Sequence, residues 1–131
     1  MEACVVKTDV QHKRSVTRLE SFRHAWRGLR VLLGQPNAKI HVMVAFGVVA
    51  LGVALDVAAW EWCVLSLAMA LVLGAEALNT GIELAVDLAQ PEWHEWARNA
   101  KDVSAAGVLI CSLGAVSAGC WVFVPRLWGM L

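Results

Sequence analysis

The sequence is poor in charged residues for its length of 131 residues. Only 17% of the residues are charged, whereas 59% are hydrophobic. A soluble domain has about 25% charged and about 45–50% apolar residues, so this composition argues against a soluble domain and indicates a membrane protein. The length is sufficient for one domain, and the formal net charge of +0 excludes no class of partner by itself.

The signatures of several function classes are absent. The sequence contains no GxxxxGK[ST], GxGxxG, HExxH or GxSxG motif, which argues against a P-loop nucleotidase, a dinucleotide-binding domain, a zinc protease and an α/β-hydrolase. Any phosphoryl transfer would therefore not use a P-loop or a protein-kinase scaffold. No secretory signal peptide is expected, because the N-terminus lacks an apolar core followed by a small-residue cleavage site.

The cysteines show no metal-ligand spacing. Three of the four, Cys63, Cys111 and Cys120, lie in apolar segments, where cysteine acts as a small hydrophobic side chain. Neither a disulfide nor a zinc site is expected from this pattern.

Positive charge is concentrated near the N-terminus. Eight of the eleven Lys and Arg residues lie within the first 39 positions: Lys7, Lys13, Arg14, Arg18, Arg23, Arg27, Arg30 and Lys39. Among these arginines, Phe22, Trp26, Leu29 and Leu33 follow a helical i, i+4, i+7, i+11 stripe, which predicts an interfacial amphipathic helix over residues 15–34. The same stripe would also fit a soluble helix packed on a core.

Three apolar segments follow, at about residues 40–60, 62–88 and 103–124. Each reaches the ~20 residues that a spanning helix needs. The predicted fold class is therefore an all-α integral membrane protein, with an N-terminal amphipathic surface helix and three transmembrane helices. Residues 1–14 are predicted to be a flexible N-terminus and residues 15–131 a single membrane domain. Because three helices enclose little interior, an oligomer is expected.

Loop charges predict the orientation in the membrane. The connection around Asp56–Glu61 contains no Lys or Arg, whereas the connection from Gln90 to Asp102 contains Arg98 and Lys101. The positive-inside rule then places the N-terminus and the second connection in the cytoplasm. The tryptophans lie near both predicted interfaces, as in an aromatic belt: Trp26, Trp93 and Trp96 on one side, and Trp60, Trp62, Trp121 and Trp128 on the other.

The second apolar segment ends in a row of polar residues. Glu76, Asn79, Glu83 and Asp87 fall within a sector of roughly 80° when a helix turns about 100° per residue. Ionisable groups at membrane depth are costly and usually functional, so this acidic row indicates metal, proton or phosphate chemistry. A carboxylate here can act as a general base on an alcohol or bind Mg²⁺. A polar seam between helices, or a helix end already in water, is the alternative.

A second candidate group, Lys101 and Asp102, opens the third apolar segment. We expect these residues at a helix N-terminus, where free N–H groups and the helix dipole attract phosphate. A lysine that extends to the membrane boundary is the alternative. Together with the acidic row at the same depth, this helix end predicts a nucleotide site.

These segments resemble a known family. Residues 76–87 (EALNTGIELAVD) and 100–109 (AKDVSAAGVL) resemble the signature of the bacterial integral-membrane diacylglycerol kinase and undecaprenol kinase family, E-x-L-N-[ST]-x-I-E-x-x-V-D followed by A-K-D-x-x-[AS]-A-x-V-L. Residues 21–29 resemble its surface helix, and residues 37–41 resemble the start of its first spanning helix, more in the form of the undecaprenol kinase branch.

The resemblance implies an ATP-dependent lipid kinase of the bacterial inner membrane, typically a homotrimer. Such a kinase transfers the γ-phosphoryl group of MgATP to the primary hydroxyl of a membrane lipid, diacylglycerol or undecaprenol. Glu76 matches the family's general base, and Glu83 matches its metal-binding glutamate. The other matched positions lie at the nucleotide: Asn79, Asp87, His94, Lys101 and Asp102. No nucleic acid partner is expected.

One position departs from the family pattern. The family often has a second metal-binding glutamate between the surface helix and the first spanning helix, and the nearest residue here is Gln35. An amide oxygen can still coordinate Mg²⁺, but more weakly than a carboxylate. This departure leaves room for an alternative function, a catalytically silent membrane oligomer that uses its acidic helix face for assembly or cation binding.

Overall fold

The computed structural model describes residues 17–130, and the predicted flexible segment 1–14 lies outside them. Regular structure in the described residues is helical throughout: Arg18–Gly34 (α1), Pro36–Ala54 (α2), Ala59–Ala89 (α3) and Glu95–Trp128 (α4). The helices α2, α3 and α4 are each long and apolar enough to cross a membrane. This architecture confirms the all-α membrane fold with one preceding helix and three spanning helices.

Helix α1 begins with a reciprocal cap. The Thr17 side chain accepts a hydrogen bond from the Glu20 N–H at 3.4 Å, and the Glu20 carboxylate accepts one from the Thr17 N–H at 2.9 Å, which is a capping box. The Thr17 backbone N–H and hydroxyl, by donating to the Glu20 carboxylate, hold the pKa of Glu20 below its ordinary value. Phe22 and Trp26 stay exposed on this helix, so its apolar face is available to a membrane surface.

Helix α2 ends earlier than predicted, at Ala54 rather than near residue 60. The Asp56 N–H donates to the Val53 carbonyl at 3.3 Å, and the Val57 N–H donates to the Gly52 carbonyl at 3.1 Å. These two bonds form a Schellman motif, for which Asp56 adopts a left-handed φ of 48°. Aspartate tolerates that conformation better than most residues, so the turn has a local cause that hydropathy does not reveal.

The helices α3 and α4 form an antiparallel hairpin, and α2 packs on α3. At the loop end of α2, a core cluster of Val57, Leu65, Val122 and Phe123 joins the three helices. Gly52 lies against the indole of Trp62, and a Cβ atom at that position would be 2.6 Å from Trp62 Cη2. The close contact of α2 with α3 therefore depends on Gly52 having no side chain.

A partly buried ion pair closes the same end of the bundle. Arg126 Nη1 and Nη2 donate to Glu61 Oε1 and Oε2 at 2.7 and 2.5 Å, and Glu61 Oε2 also accepts from the Ala58 N–H at 2.9 Å. Bidentate guanidinium–carboxylate contacts are among the strongest and most directional hydrogen bonds in proteins. Glu61 thus caps the start of α3 and ties it to the end of α4.

Helix α4 is longer than predicted at both ends. It begins at Glu95 rather than near residue 103, and it continues to Trp128 rather than residue 124. His94 caps it, because His94 Nδ1 accepts a hydrogen bond from the Trp96 N–H at 3.2 Å. The expectation that Lys101 and Asp102 lie at a helix N-terminus is therefore wrong. Both residues lie inside α4, because the polar residues from Glu95 onward, which precede the apolar segment, are also helical.

We expect Gly52→Ala to lower the free energy of unfolding by about 1–3 kcal/mol, the usual cost of overpacking a contact. Trp62 must move to admit the new methyl group. The variant is compared with the wild type by denaturant titration in detergent micelles, with tryptophan fluorescence and helical circular dichroism as readouts.

Gly47→Ala is the matched control, because a Cβ atom at Gly47 on the same helix meets nothing within 4 Å. Alanine favours a helix over glycine by about 1 kcal/mol, so this variant should be neutral or more stable. Equal losses of stability in the two variants would contradict the contact between Gly52 and Trp62.

Candidate functional site

The acidic row lies on the side of α3 that faces α4. Its exposure increases along the helix: Glu76 is 2% exposed, Asn79 is 5% exposed, Glu83 is half-buried and Asp87 is exposed. This gradient runs from the apolar part of α3 toward its end at Ala89. The row therefore connects a buried carboxylate with the aqueous end of the hairpin.

The middle of the row is a directional hydrogen-bond chain. Asn79 Nδ2 donates to Glu83 Oε1 at 3.0 Å, and the Ser104 hydroxyl on α4 donates to Asn79 Oδ1 at 2.6 Å. The predicted proximity of Asn79 and Glu83 is thus realised as a direct contact. Ser104 was not among the predicted site residues. Its spacing, three residues after Lys101 and so on the same helix face, was the available signal.

The aqueous end of the row contacts the second predicted group. Lys101 Nζ forms an ion pair with Asp87 Oδ1, which brings together residues that are 14 positions apart. Asp102 instead pairs with Arg98 at 3.5 Å, on a strongly exposed face of α4. Such an exposed pair contributes little to stability, so Asp102 remains available to a ligand in the surrounding water.

Glu76 differs from the rest of the row. It is the most buried carboxylate of the row, yet no described residue donates a hydrogen bond to it. Its carboxylate oxygens nevertheless stay accessible, because no fully buried side-chain oxygen of the described residues lacks a hydrogen-bond partner. Glu76 is therefore the member of the row whose carboxylate is open to a hydrogen bond from a further group.

Gln35 and His94 occupy helix junctions. Gln35 lies between α1 and α2, where it is half-buried and its side chain makes no capping hydrogen bond. The His94 ring caps α4 and is exposed. Neither side chain forms a hydrogen bond or ion pair with the acidic row, so their assignment to the site stays a prediction.

The residues of the row fit a divalent metal that binds together with phosphate. Glu83 Oε1 accepts from Asn79, whereas its second oxygen receives no hydrogen bond from the described residues. Among residues 17–130, no three His, Cys, Asp or Glu side chains form a group that can hold a metal ion alone. Mg²⁺ is usually bound by one or two carboxylates together with substrate phosphates, which matches a single available carboxylate oxygen.

An apolar cavity of about 630 Å³ lies between α2, α3 and α4, before the row along α3. Its lining includes Val44, Leu51, Val72 and Val116. Val72 is one turn before Glu76 on α3, so the cavity leads from the apolar part of the bundle toward the buried carboxylate. A ligand with a long apolar tail and a polar head would fit this arrangement.

Comparisons with known proteins point to one family. Residues 23–123 match the family described as prokaryotic diacylglycerol kinase. A protein of Synechocystis named diacylglycerol kinase is 36% identical over 115 residues, which cover 86% of this chain and 66% of that relative. About a third of the Synechocystis protein therefore has no counterpart in the match. The diacylglycerol kinase of Escherichia coli K12 is 33% identical over 78% of this chain and 84% of its own length.

We expect Asn79→Asp to destabilise the hairpin in a pH-dependent way. The change places a second carboxylate about where Nδ2 now donates to Glu83 at 3.0 Å, and two carboxylates at this distance cannot both ionise without a large penalty. The loss of thermal stability should therefore be larger at about pH 8 than at about pH 5, where a shared proton relieves the repulsion.

Thermal unfolding in detergent at the two pH values measures the effect. The control is Asn79→Asp combined with Glu83→Gln, which removes the second charge and should remove the additional pH dependence. An unchanged pH dependence in that double variant would contradict the contact between Asn79 and Glu83.

Proposed function

The chain belongs to the prokaryotic diacylglycerol kinase family, a family of membrane lipid kinases, and we propose that it transfers the γ-phosphoryl group of MgATP to the primary hydroxyl of a membrane lipid. The observation that carries this proposal is the gradient along the acidic row. It runs from a buried carboxylate without a donor at Glu76 to the exposed ion pair of Asp87 and Lys101. A lipid alcohol and a water-soluble nucleotide would approach the row from these opposite ends.

Glu76 is the proposed general base. A base must lie within hydrogen-bond reach of the hydroxyl whose proton it accepts. Glu76 is buried one turn beyond the cavity lining at Val72 and receives no hydrogen bond from a described residue. A lipid with its tail in the cavity would present its head hydroxyl to this carboxylate. Phosphoryl transfer requires in-line positioning and neutralisation of charge more than covalent chemistry.

The nucleotide is proposed to bind at the aqueous end of the row. Lys101 is held by Asp87, and a phosphate group can replace that carboxylate as the partner of the ammonium group. Asp102 is exposed on the same helix and can accept hydrogen bonds from the ribose hydroxyls. The other proposed nucleotide-binding residues are Asn79, Glu83, Asp87 and His94.

Glu83 is the proposed metal ligand, with Gln35 as a weaker second one. The metal would neutralise charge on the phosphate oxygens when ATP is bound. Glu83 keeps one carboxylate oxygen without a hydrogen-bond donor from the described residues, and Asn79 fixes the other. Gln35 lies at the junction of α1 and α2 with its amide uncommitted to a cap.

Diacylglycerol is the proposed lipid, because it appears in the names of the relatives from Synechocystis and Escherichia coli. Undecaprenol, which also ends in a primary hydroxyl, is the second candidate. We further propose a homotrimer in the bacterial inner membrane, with the N-terminus in the cytoplasm. Many large apolar side chains of the three spanning helices are exposed in the single chain, which is the surface that lipid or neighbouring subunits would cover.

We expect Glu76→Gln to lower kcat by about 10²–10⁴-fold, the usual contribution of a general base. The fold should persist, since the substitution removes charge and keeps the shape. The assay uses the purified protein in detergent micelles with Mg²⁺ and γ-labelled ATP, and it offers diacylglycerol and undecaprenol separately. Label in one lipid identifies the substrate.

Asp56→Asn is the matched control, because Asp56 lies in the turn at the opposite end of the bundle and asparagine accepts its left-handed backbone. Its turnover should equal that of the wild type. Near-normal turnover of Glu76→Gln would remove Glu76 as the base. A folded wild-type protein that labels neither lipid would favour the silent oligomer.

A further inference from the structure

Ser104 on α4 donates a hydrogen bond to the side-chain amide of Asn79, the buried amide of the acidic row. It lies half-buried on α4, and its Oγ is 2.6 Å from Asn79 Oδ1 and 2.8 Å from the carbonyl oxygen of Lys101. A hydroxyl has a single proton, so it donates to one of these two acceptors at a time. When it donates to Asn79 Oδ1, the nearer acceptor, it links α4 with the turn of α3 that bears Asn79.

The carboxylate of Glu83 determines how the side-chain amide of Asn79 is oriented. A carboxylate only accepts hydrogen bonds, so the contact of Asn79 with Glu83 requires the amide nitrogen of Asn79 to face Glu83. The amide oxygen must then face α4, where Ser104 supplies the donor. If Asn79 rotated by half a turn, two acceptors would face each other at Glu83. Glu83 thus selects the amide orientation, and the Ser104 hydroxyl donates to the amide oxygen that this orientation turns toward α4.

We propose that Ser104 is a positioning residue for the kinase reaction, which holds Asn79 and, through it, the carboxylate of Glu83 in the orientation that receives the metal–nucleotide complex. This proposal rests on the proposed function. Without the hydroxyl, Asn79 Oδ1 is left buried without its donor, and Asn79 is free to turn away from Glu83. The Glu83 oxygen that now accepts from Asn79 would then lose its restraint.

The test compares Ser104→Ala with Ser104→Thr in the intact protein in micelles. We expect Ser104→Ala to lower kcat about tenfold and to raise the half-saturating Mg²⁺ concentration about tenfold. A change of this size is typical when a buried acceptor is left without its donor. The KM for the lipid should not change. Ser104→Thr retains the hydroxyl and should recover most of both losses. Ser117→Ala, an exposed serine on the same helix, should behave as the wild type.

A binding measurement separates this proposal from the proposed function. Mn²⁺ affinity, measured by electron paramagnetic resonance with a non-hydrolysable ATP analogue, reports on Glu83 without any turnover. Ser104→Ala should weaken Mn²⁺ binding in the wild-type background and should have no further effect in an Asn79→Ala background, because residues that act through one another are not additive. A wild-type protein that binds Mn²⁺ but phosphorylates no lipid would overturn the proposed function alone.

Unchanged kcat and Mn²⁺ affinity in Ser104→Ala would overturn the role of Ser104. Additive losses in the Asn79→Ala background would do the same, since they would show that Ser104 acts independently of Asn79. If Ser104→Ala does not fold, Ser104→Cys takes its place, because a thiol has a similar size and is a weaker donor. An intermediate loss of Mn²⁺ affinity supports the proposal, and wild-type affinity overturns it.

Discussion

The dominant physical constraint on this molecule is the cost of polar groups at membrane depth. A carboxylate or an amide removed from water needs partners within the protein, and α3 carries four such side chains on one face. For two of them the structure supplies a partner from α4, since Ser104 donates to Asn79 and Lys101 pairs with Asp87. The antiparallel hairpin of α3 and α4 therefore brings the residues of the site together, and α1 and α2 pack against it.

The number and type of the elements could be predicted from the sequence, whereas their ends could not. Apolar runs of spanning length and the stripe from Phe22 to Leu33 sufficed for one amphipathic and three spanning helices. Hydropathy records only where a helix is apolar. It therefore missed the polar first turns of α4 from Glu95, and it missed the turn at Asp56 that ends α2.

The same distinction applies to the candidate site. Helical periodicity alone placed Glu76, Asn79, Glu83 and Asp87 on one face, because that relation is local. The partner of each side chain depends on how α3 and α4 are aligned along their lengths, which no local pattern specifies. The contacts of Ser104 with Asn79 and of Lys101 with Asp87 therefore became visible only in the folded chain. The roles of Gln35 and His94 rest on resemblance, since neither side chain forms a hydrogen bond with the row.

The length of the hairpin has a consequence for its lipid surroundings. Helix α4 has 34 residues, which is about 51 Å at ~1.5 Å per residue, whereas the hydrocarbon core of a bilayer is about 30 Å thick. Helix α4 is thus longer than the hydrocarbon is thick, and its polar turns around Lys101 are the part that favours water. In a bilayer of this thickness the row would cross the interface within continuous helices. Hydrophobic mismatch then acts directly on the site. A thinner bilayer exposes more of the row to water and a thicker one immerses it, which couples the burial of Glu83 to membrane thickness.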